Sequence, residues 1–274
     1  MRIMVIGGEG FIGSHLIESG NKHGHQMVNV DCAGKPTMLM YAGDMTAHDL
    51  EDIERVIWSA GVLGTVETFD DPESAVKSNI LDALHVLRLC LDKNIHFTYI
   101  TLGNTWLNPY SITKNCMNDF CRMYLDNGRW SSKPVPVQVG TTYNVFGPRQ
   151  KVGPVRKIVP YFLSQLIKGE PIELFFEGKQ HVDMVYAPDL ADAIIENDET
   201  GFQFYGSAVA RTVKDVAIEC GRAMFIMPEF IKAGNRRGET GEGAIAPYKE
   251  FIHETPFEQA IALTAKWYKE NIHV

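Results

Sequence analysis

The chain has 274 residues, with 26 Lys and Arg against 34 Asp and Glu, a net charge of −8, and 45% hydrophobic and 22% charged residues. This composition is ordinary for a folded globular chain and excludes wholesale disorder. The acidity argues against a nucleic-acid duplex or an anionic membrane surface as partner, whereas a small anionic ligand stays open because local amides and single cations can hold one.

Taken in chain order, Arg2–Gly7 is a short apolar run ending in glycine and predicts a strand buried on both faces. Phe11–Lys22 predicts a helix and Gln26–Asp31 a second strand. Thr37–Ala42 and Arg55–Ala60 predict two more strands. Pro72 opens a long helical pattern to Lys93, with proline tolerated in its first turn. His96–Thr101 predicts a strand, Tyr110–Leu125 a helix and Val135–Val139 a strand. The regular alternation argues for an α/β fold with a parallel, doubly wound sheet of Rossmann type. Beyond Gly147 the rhythm loosens. Helices are expected at Val159–Ile167, Leu190–Ile195, Val213–Met224 and Phe257–Tyr268, with strands at Ile172–Phe176 and Val182–Ala187 and a loop at Gly234–Gly243. Residues 1–147 are therefore expected to form the dinucleotide-binding domain. Residues 148–274 are expected to form mainly a small C-terminal α/β substrate lobe, with some segments returning to the Rossmann sheet.

Cys32, Cys90, Cys116, Cys121 and Cys220 are odd in number and include no C-x-x-C pair. They are expected as free thiols in a reducing cytoplasm, with neither a disulfide framework nor a metal site. No apolar run approaches the ~20 residues of a bilayer span. The first residues read as a strand rather than a secretory leader.

The first strand runs into Gly7-Gly8-Glu9-Gly10-Phe11-Ile12-Gly13. Gly7 permits a tight turn, Gly10 lets backbone approach a pyrophosphate, and Gly13 lets the helix pack close. The helix amides and dipole then favour the phosphates. Asp31 ends the second strand, where a carboxylate accepts from the adenosine ribose and repels a 2′-phosphate, so NAD is favoured over NADP; Lys35 nearby softens that preference. Asp44, followed by Met45, either accepts the adenine amino group or caps a helix near Thr46. Ser59-Ala60-Gly61 either lies against the dinucleotide or makes a tight turn. Tyr110 and Lys114 stand at i and i+4 on one helix face. A lysine there lowers the phenol pKa, which makes the tyrosine an acid and base near neutrality.

With these motifs in place, the chain resembles the NAD-dependent epimerase/dehydratase branch of the extended short-chain dehydrogenases, including UDP-glucose 4-epimerase. Further matches are Asn79, Asn144-Val145-Phe146-Gly147-Pro148-Arg149, Val159-Pro160-Tyr161, Glu177-Gly178-Lys179-Gln180, Asp183-Met184-Val185-Tyr186, Asp189 and Arg237-Gly238-Glu239. The resemblance implies NAD on Gly7, Gly10, Phe11, Ile12, Gly13, Asp31, Asp44, Met45, Ala60, Asn79, Tyr110 and Lys114. It implies catalysis by Tyr110, Lys114 and Thr101, and a nucleotide sugar near Asn144 and near Arg236 or Arg237, unless those arginines belong to a solvated loop. It also implies a homodimer that pairs the helix from Pro72 with the helix from Tyr110.

Three departures follow from the same comparison. The family's Ser or Thr after the fifth strand falls on Leu102, leaving Thr101 one place early and Thr105 as a spare. Trp106 lies only four residues before Tyr110, so a more open or differently shaped pocket is expected. The arginine beside Asp183 is replaced by Val182, with His181 nearby. The acid that dehydratases and decarboxylases carry after the Ser or Thr is missing at Gly103 and Asn104. The expected function is an NAD-dependent nucleotide-sugar epimerase using transient hydride transfer. A keto-sugar reductase or dehydrogenase, and an NAD-binding module with little catalysis, stand as the alternatives.

Overall fold

The computed structural model describes residues 1–128, 135–249 and 255–272. It begins with β1 (Arg2–Ile6), α1 (Phe11–Lys22), β2 (Gln26–Asp31), a short β3 (Met38–Leu39) and β4 (Arg55–Trp58). Then come α2 (Pro72–Val76), a π-helical turn over Lys77–Asp82, and α3 (Ala83–Lys93). β5 (His96–Leu102), α4 (Pro109–Gly128), β6 (Val137–Thr142), β7 (Asn144–Phe146), α5 (Ile158–Lys168) and β8 (Ile172–Leu174) follow. The remainder is β9 (His181–Tyr186), α6 (Ala187–Glu196), β10 (Gly201–Tyr205), β11 (Ala210–Thr212), α7 (Val213–Met224), β12 (Phe230–Lys232) and α8 (Phe257–Asn271).

Seven parallel strands form the central sheet in the order β10-β6-β5-β4-β1-β2-β3. The period of two along β1 explains its unbroken apolar run. Met4 and Ile6 pack in a core with residues of α3 and α4, while Ile3 and Val5 pack with residues of α1 and α6 on the other face. β10 lies late in the chain yet closes the edge of this sheet beside β6. A third core joins α5, α7 and α8 to β8 and β9, beneath a three-stranded sheet β11-β9-β7.

Most expected strands end a residue or more away from their expected bounds, and three of the differences matter here. β3 stops at Leu39 because it pairs only with Val30 and Asp31, the last residues of β2; Ala42–Asp44 then turns as a 3-10 helix. β4 stops at Trp58, leaving Ser59 and Ala60 in the turn. β8 stops at Leu174 because Phe176 and Glu177 take positive φ of 50° and 57°, which no strand accommodates.

Two buried charges tie the layers together. Arg55 is 1% exposed. It donates to Thr98 and Gln138 and to the carbonyls of Ile194, Ile195 and Asn197. It thus satisfies the C-terminal carbonyls of α6 and pins that helix to the sheet. Burial pulls its pKa down to about 10, so it stays charged at neutral pH. Asp183, fully buried in β9, accepts from the backbone N–H of Ser207, Ala208 and Ala246 and from the Ser207 hydroxyl. Four donors offset the cost of burying that carboxylate without a cation. Val182 beside it belongs to the lobe core.

All five cysteines are unbridged; Cys32 is exposed and Cys90, Cys121 and Cys220 are buried. Among the described residues no helix is long and apolar enough to cross a membrane.

Candidate active site

The site grows from the C-terminal ends of β1, β2, β4 and β5. Gly7 takes φ +86°, and its N–H donates to Val30 O at 2.8 Å. A Cβ on Gly7 would lie 2.7 Å from Ala60 backbone atoms, and one on Gly13 would lie 2.0 Å from the Gly7 carbonyl. The first turn of α1 therefore abuts the strand end only because these side chains are missing. Gly10 caps the helix in an extended conformation with no side-chain bond. The amides of Phe11, Ile12 and Gly13 are left without a side-chain cap, which is the chemistry of an anion seat.

Asp31 lies against this turn. Its carboxylate accepts from Glu9 N–H at 3.0 Å and from Ala33 N–H at 3.3 Å. Glu9 adds a second carboxylate here, accepting from Asn29 Nδ2 at 2.7 Å and from Lys35 N–H at 3.3 Å. Lys35 thus contributes a backbone contact to an acidic corner. Asp44 is exposed, and it does not cap the helix near Thr46: Asp49 does so, accepting from the N–H and hydroxyl of Thr46 at 2.7 and 2.8 Å. Met45 is buried, and its carbonyl accepts from His85 Nε2 at 2.7 Å. Asn79 is fully buried on the π turn. It exchanges hydrogen bonds with the Val62 backbone and donates to the Thr113 hydroxyl, each at 2.9 Å. Its amide ties the turn after β4 to α4.

Lys114 is 6% exposed. Its ammonium donates to Ile100 O at 3.1 Å and Ala60 O at 3.4 Å, and lies 4.8 Å over the Tyr99 ring. No carboxylate accompanies it, and burial pulls its pKa down to about 8. Tyr110 opens α4 one turn earlier. Burial pushes its phenol up to about 12. Burial sets this direction, and the expected lowering of Tyr110 by Lys114 does not offset it. Thr101 is 3% exposed and shares its sheet face with Phe97 and Tyr99. Its hydroxyl is buried with no hydrogen-bond partner, whereas Leu102 points to the opposite face and Thr105 is exposed.

The short loop before Tyr110 is bonded to a later segment of the chain. Trp106 Nε1 donates to Glu242 O at 3.0 Å and Asn108 Nδ2 to Gly238 O at 3.0 Å. Asn104 Oδ1 accepts from Ala244 N–H at 3.1 Å. A strap over residues 233–249 is zipped to the loop and compensates for its length. Asn144 starts β7, half-buried and paired in register with Met184. Arg236 is drawn out of solvent, whereas Arg237 is exposed on its loop. Arg236 pairs with Glu239 at 2.7 Å, with both side chains largely buried, and the Arg237 guanidinium lies 4.0 Å over the Phe69 ring.

Sequence reasoning missed Lys157. It sits at the N-terminus of α5 with its ammonium 5.9 Å from the Tyr110 ring centroid. Its signal was the basic pair Arg156-Lys157 just ahead of Val159-Pro160. Arg156 itself pairs with Glu173 at 2.9 Å and covers the Tyr161 ring at 3.5 Å.

A parallel sheet whose first strand turns through glycines into an uncapped helix, beside a Tyr and a Lys one turn apart, defines a Rossmann-type dinucleotide-binding protein. A sequence profile of the NAD dependent epimerase/dehydratase family matches residues 3–200. The chain belongs to that family, whose cofactor is NAD. It is 24% identical over 234 residues to UDP-glucuronic acid decarboxylase 1 of Arabidopsis thaliana, a match covering 73% of the chain. It is 24% identical over 232 residues to UDP-N-acetyl-alpha-D-glucosaminuronate decarboxylase of Bacillus cytotoxicus, covering 71% of the chain. The matches span 53% and 70% of those two relatives, so the chain accounts for only about half of the plant protein. Among solved structures, UDP-glucose 4-epimerase of Thermus thermophilus, in complex with NAD, superposes with a TM-score of 0.86. Identity to it is 21%, covering 99% of this chain and 100% of the other.

The lowered pKa of Lys114 carries a sign. The folded protein releases this proton near pH 8 and the unfolded chain near 10.5. Between those values the unfolded chain binds more protons, so stability from this group rises with pH, by about 3 kcal/mol in all. Urea unfolding is expected to show wild type gaining on a Lys114→Met variant from pH 8 to 10.5. A constant difference would show that Lys114 titrates normally.

Proposed function

We propose that the chain is an NAD-dependent epimerase of nucleotide sugars, working by transient hydride transfer, with Tyr110, Lys114 and Thr101 as its catalytic residues. The observation that carries the reading is the buried, carboxylate-free Lys114 between Ala60 and Ile100, one turn from Tyr110 and above a strand that presents the unpartnered Thr101 hydroxyl. The uncapped amides of Phe11, Ile12 and Gly13 would hold the diphosphate of NAD, and Asp31 with Glu9 would favour an unphosphorylated ribose. When bound, NAD supplies a hydride acceptor that is also the donor for the return step.

Tyr110 takes the proton of the reacting hydroxyl and later gives it back. A phenol at about 12 is a poor base at neutral pH. Lys114 is the cation placed to lower it once its bonds to the strand-end carbonyls loosen. The Thr101 hydroxyl donates to the oxygen that gains charge. The strap over residues 233–249, bonded to the loop before Tyr110, would limit water at the site. Asn144, Arg236 and Arg237 would serve the substrate. The stretch after Thr101 offers Leu102, Gly103 and Asn104 and no carboxylate. This favours epimerisation over dehydration or decarboxylation, both of which need an acid beside the reacting carbon.

Tyr110→Phe is expected to keep its NAD and lose about 100-fold or more in turnover. Cofactor stoichiometry separates the readings: an epimerase shows no net change, a reductase consumes one NADH per product and a dehydrogenase forms one. Full activity of Tyr110→Phe would refute the assignment.

We also propose a homodimer through α2, the π turn and α4. Val76, Leu81, Ile112 and Met123 expose 41%, 57%, 52% and 43% of their surfaces on these elements. Light scattering is expected to give twice the 30.7 kDa chain mass and the single mass for Leu81→Lys. A monomeric wild type would refute this interface.

A further inference from the structure

Most cations around the cleft have polar partners, and Lys157 stands apart from them. Lys114 donates to two carbonyls. Arg156 is paired with Glu173 and Arg236 with Glu239. Lys157 has neither a hydrogen bond nor an ion pair among the described residues; its ammonium lies over the face of Tyr110, 5.9 Å from the ring centroid. Its surroundings disfavour the charge. Burial lowers its pKa, and Arg236 opposes its charge more than either Glu67 or Glu239 supports it. An ammonium held against a like charge in a half-buried cleft is costly until an anion completes the site.

The place of Lys157 says which anion. Its ammonium looks onto the ring of the tyrosine that addresses the reacting hydroxyl. An anion there belongs to the sugar ring itself, on a carbon close to the one that Tyr110 serves. The diphosphate lies beyond the anomeric carbon and has Arg237, which stacks on Phe69 with no carboxylate partner. The Val182 position offers nothing to either group, since that side chain is in the lobe core.

From this juxtaposition we infer that Lys157 is a substrate-specificity residue that binds a carboxylate on the sugar, and that the preferred substrate is a nucleotide-linked uronic acid. The inference rests on the reading of Tyr110 as the group that addresses a nucleotide sugar, and it deepens that reading by naming the sugar class.

Isothermal titration of the NAD-loaded protein with UDP-glucuronic acid, UDP-glucose and UDP tests it. Wild type is expected to bind UDP-glucuronic acid about tenfold or more tighter than UDP-glucose, because a charge-assisted contact is gained. In Lys157→Gln that ratio is expected to fall to about twofold or less, and in Lys157→Arg to recover in part. The NAD content of each variant reports that it is folded. Equal binding of the two sugars by wild type, or a ratio unchanged in Lys157→Gln, overturns the inference. Equal losses of UDP and UDP-glucuronic acid in Lys157→Gln would assign the lysine to the diphosphate and overturn it too. If wild type binds UDP-glucose but discriminates against the uronic acid, only the carboxylate assignment falls. If it binds none of the three, the nucleotide-sugar reading falls with it.

Discussion

The approach of α1 to the end of β1 is the contact on which the site is built. With Gly7 O lying 2.0 Å from where a Gly13 Cβ would be, no other residue at position 13 leaves the helix in place. Gly7 fixes the other side of the turn against Ala60. One close approach therefore sets three things together: where the free amides of α1 point, where Asp31 meets the turn, and how the Ala60 carbonyl is presented to Lys114. The chemistry borne by α4 is registered to the anion seat through backbone rather than through flexible side chains.

The second element is an ammonium without a counter-ion. Lys114 is kept by carbonyls and an aromatic face, partners that hold a cation while leaving its charge largely uncompensated. Such a group can respond to a ligand's hydroxyls or to a neighbouring phenolate, where a salt bridge would have quenched it. The two pKa shifts share a cause: burial disfavours charge on Tyr110 and on Lys114, so at pH 7 the phenol is neutral while the ammonium, at about 8, keeps most of its charge.

Much of this was legible in the sequence because the signals are local. Glycines at fixed spacing after an apolar strand, a carboxylate at the end of the next strand and Tyr-x-x-x-Lys at a helix start identify the fold and the family, and the parallel sheet and the family match agree with them. What sequence reasoning could not reach depends on distance in space. Trp106 anchors its loop through a carbonyl 136 residues away, a contact that the length of the loop does not announce. Tyr110 and Lys114 have the expected spacing, but spacing is silent about burial and about the carbonyls that occupy the lysine. Asn79 gave no sign of bonding across to Val62 and Thr113, since its position follows from a π turn inside an otherwise regular helical pattern. Phe176 and Glu177 end β8 in left-handed conformations that an apolar run does not announce.

The central claim is that this strand-end site takes a hydride from the bound substrate and returns it to the same molecule. Turnover of a nucleotide sugar deuterated at the carbon next to the reacting hydroxyl, with no added cofactor, measures that directly. The account predicts that the deuterium is recovered in the product, inverted at the carbon from which it left. Product from which the label has passed to solvent, or deuterium accumulating on released cofactor, would contradict it.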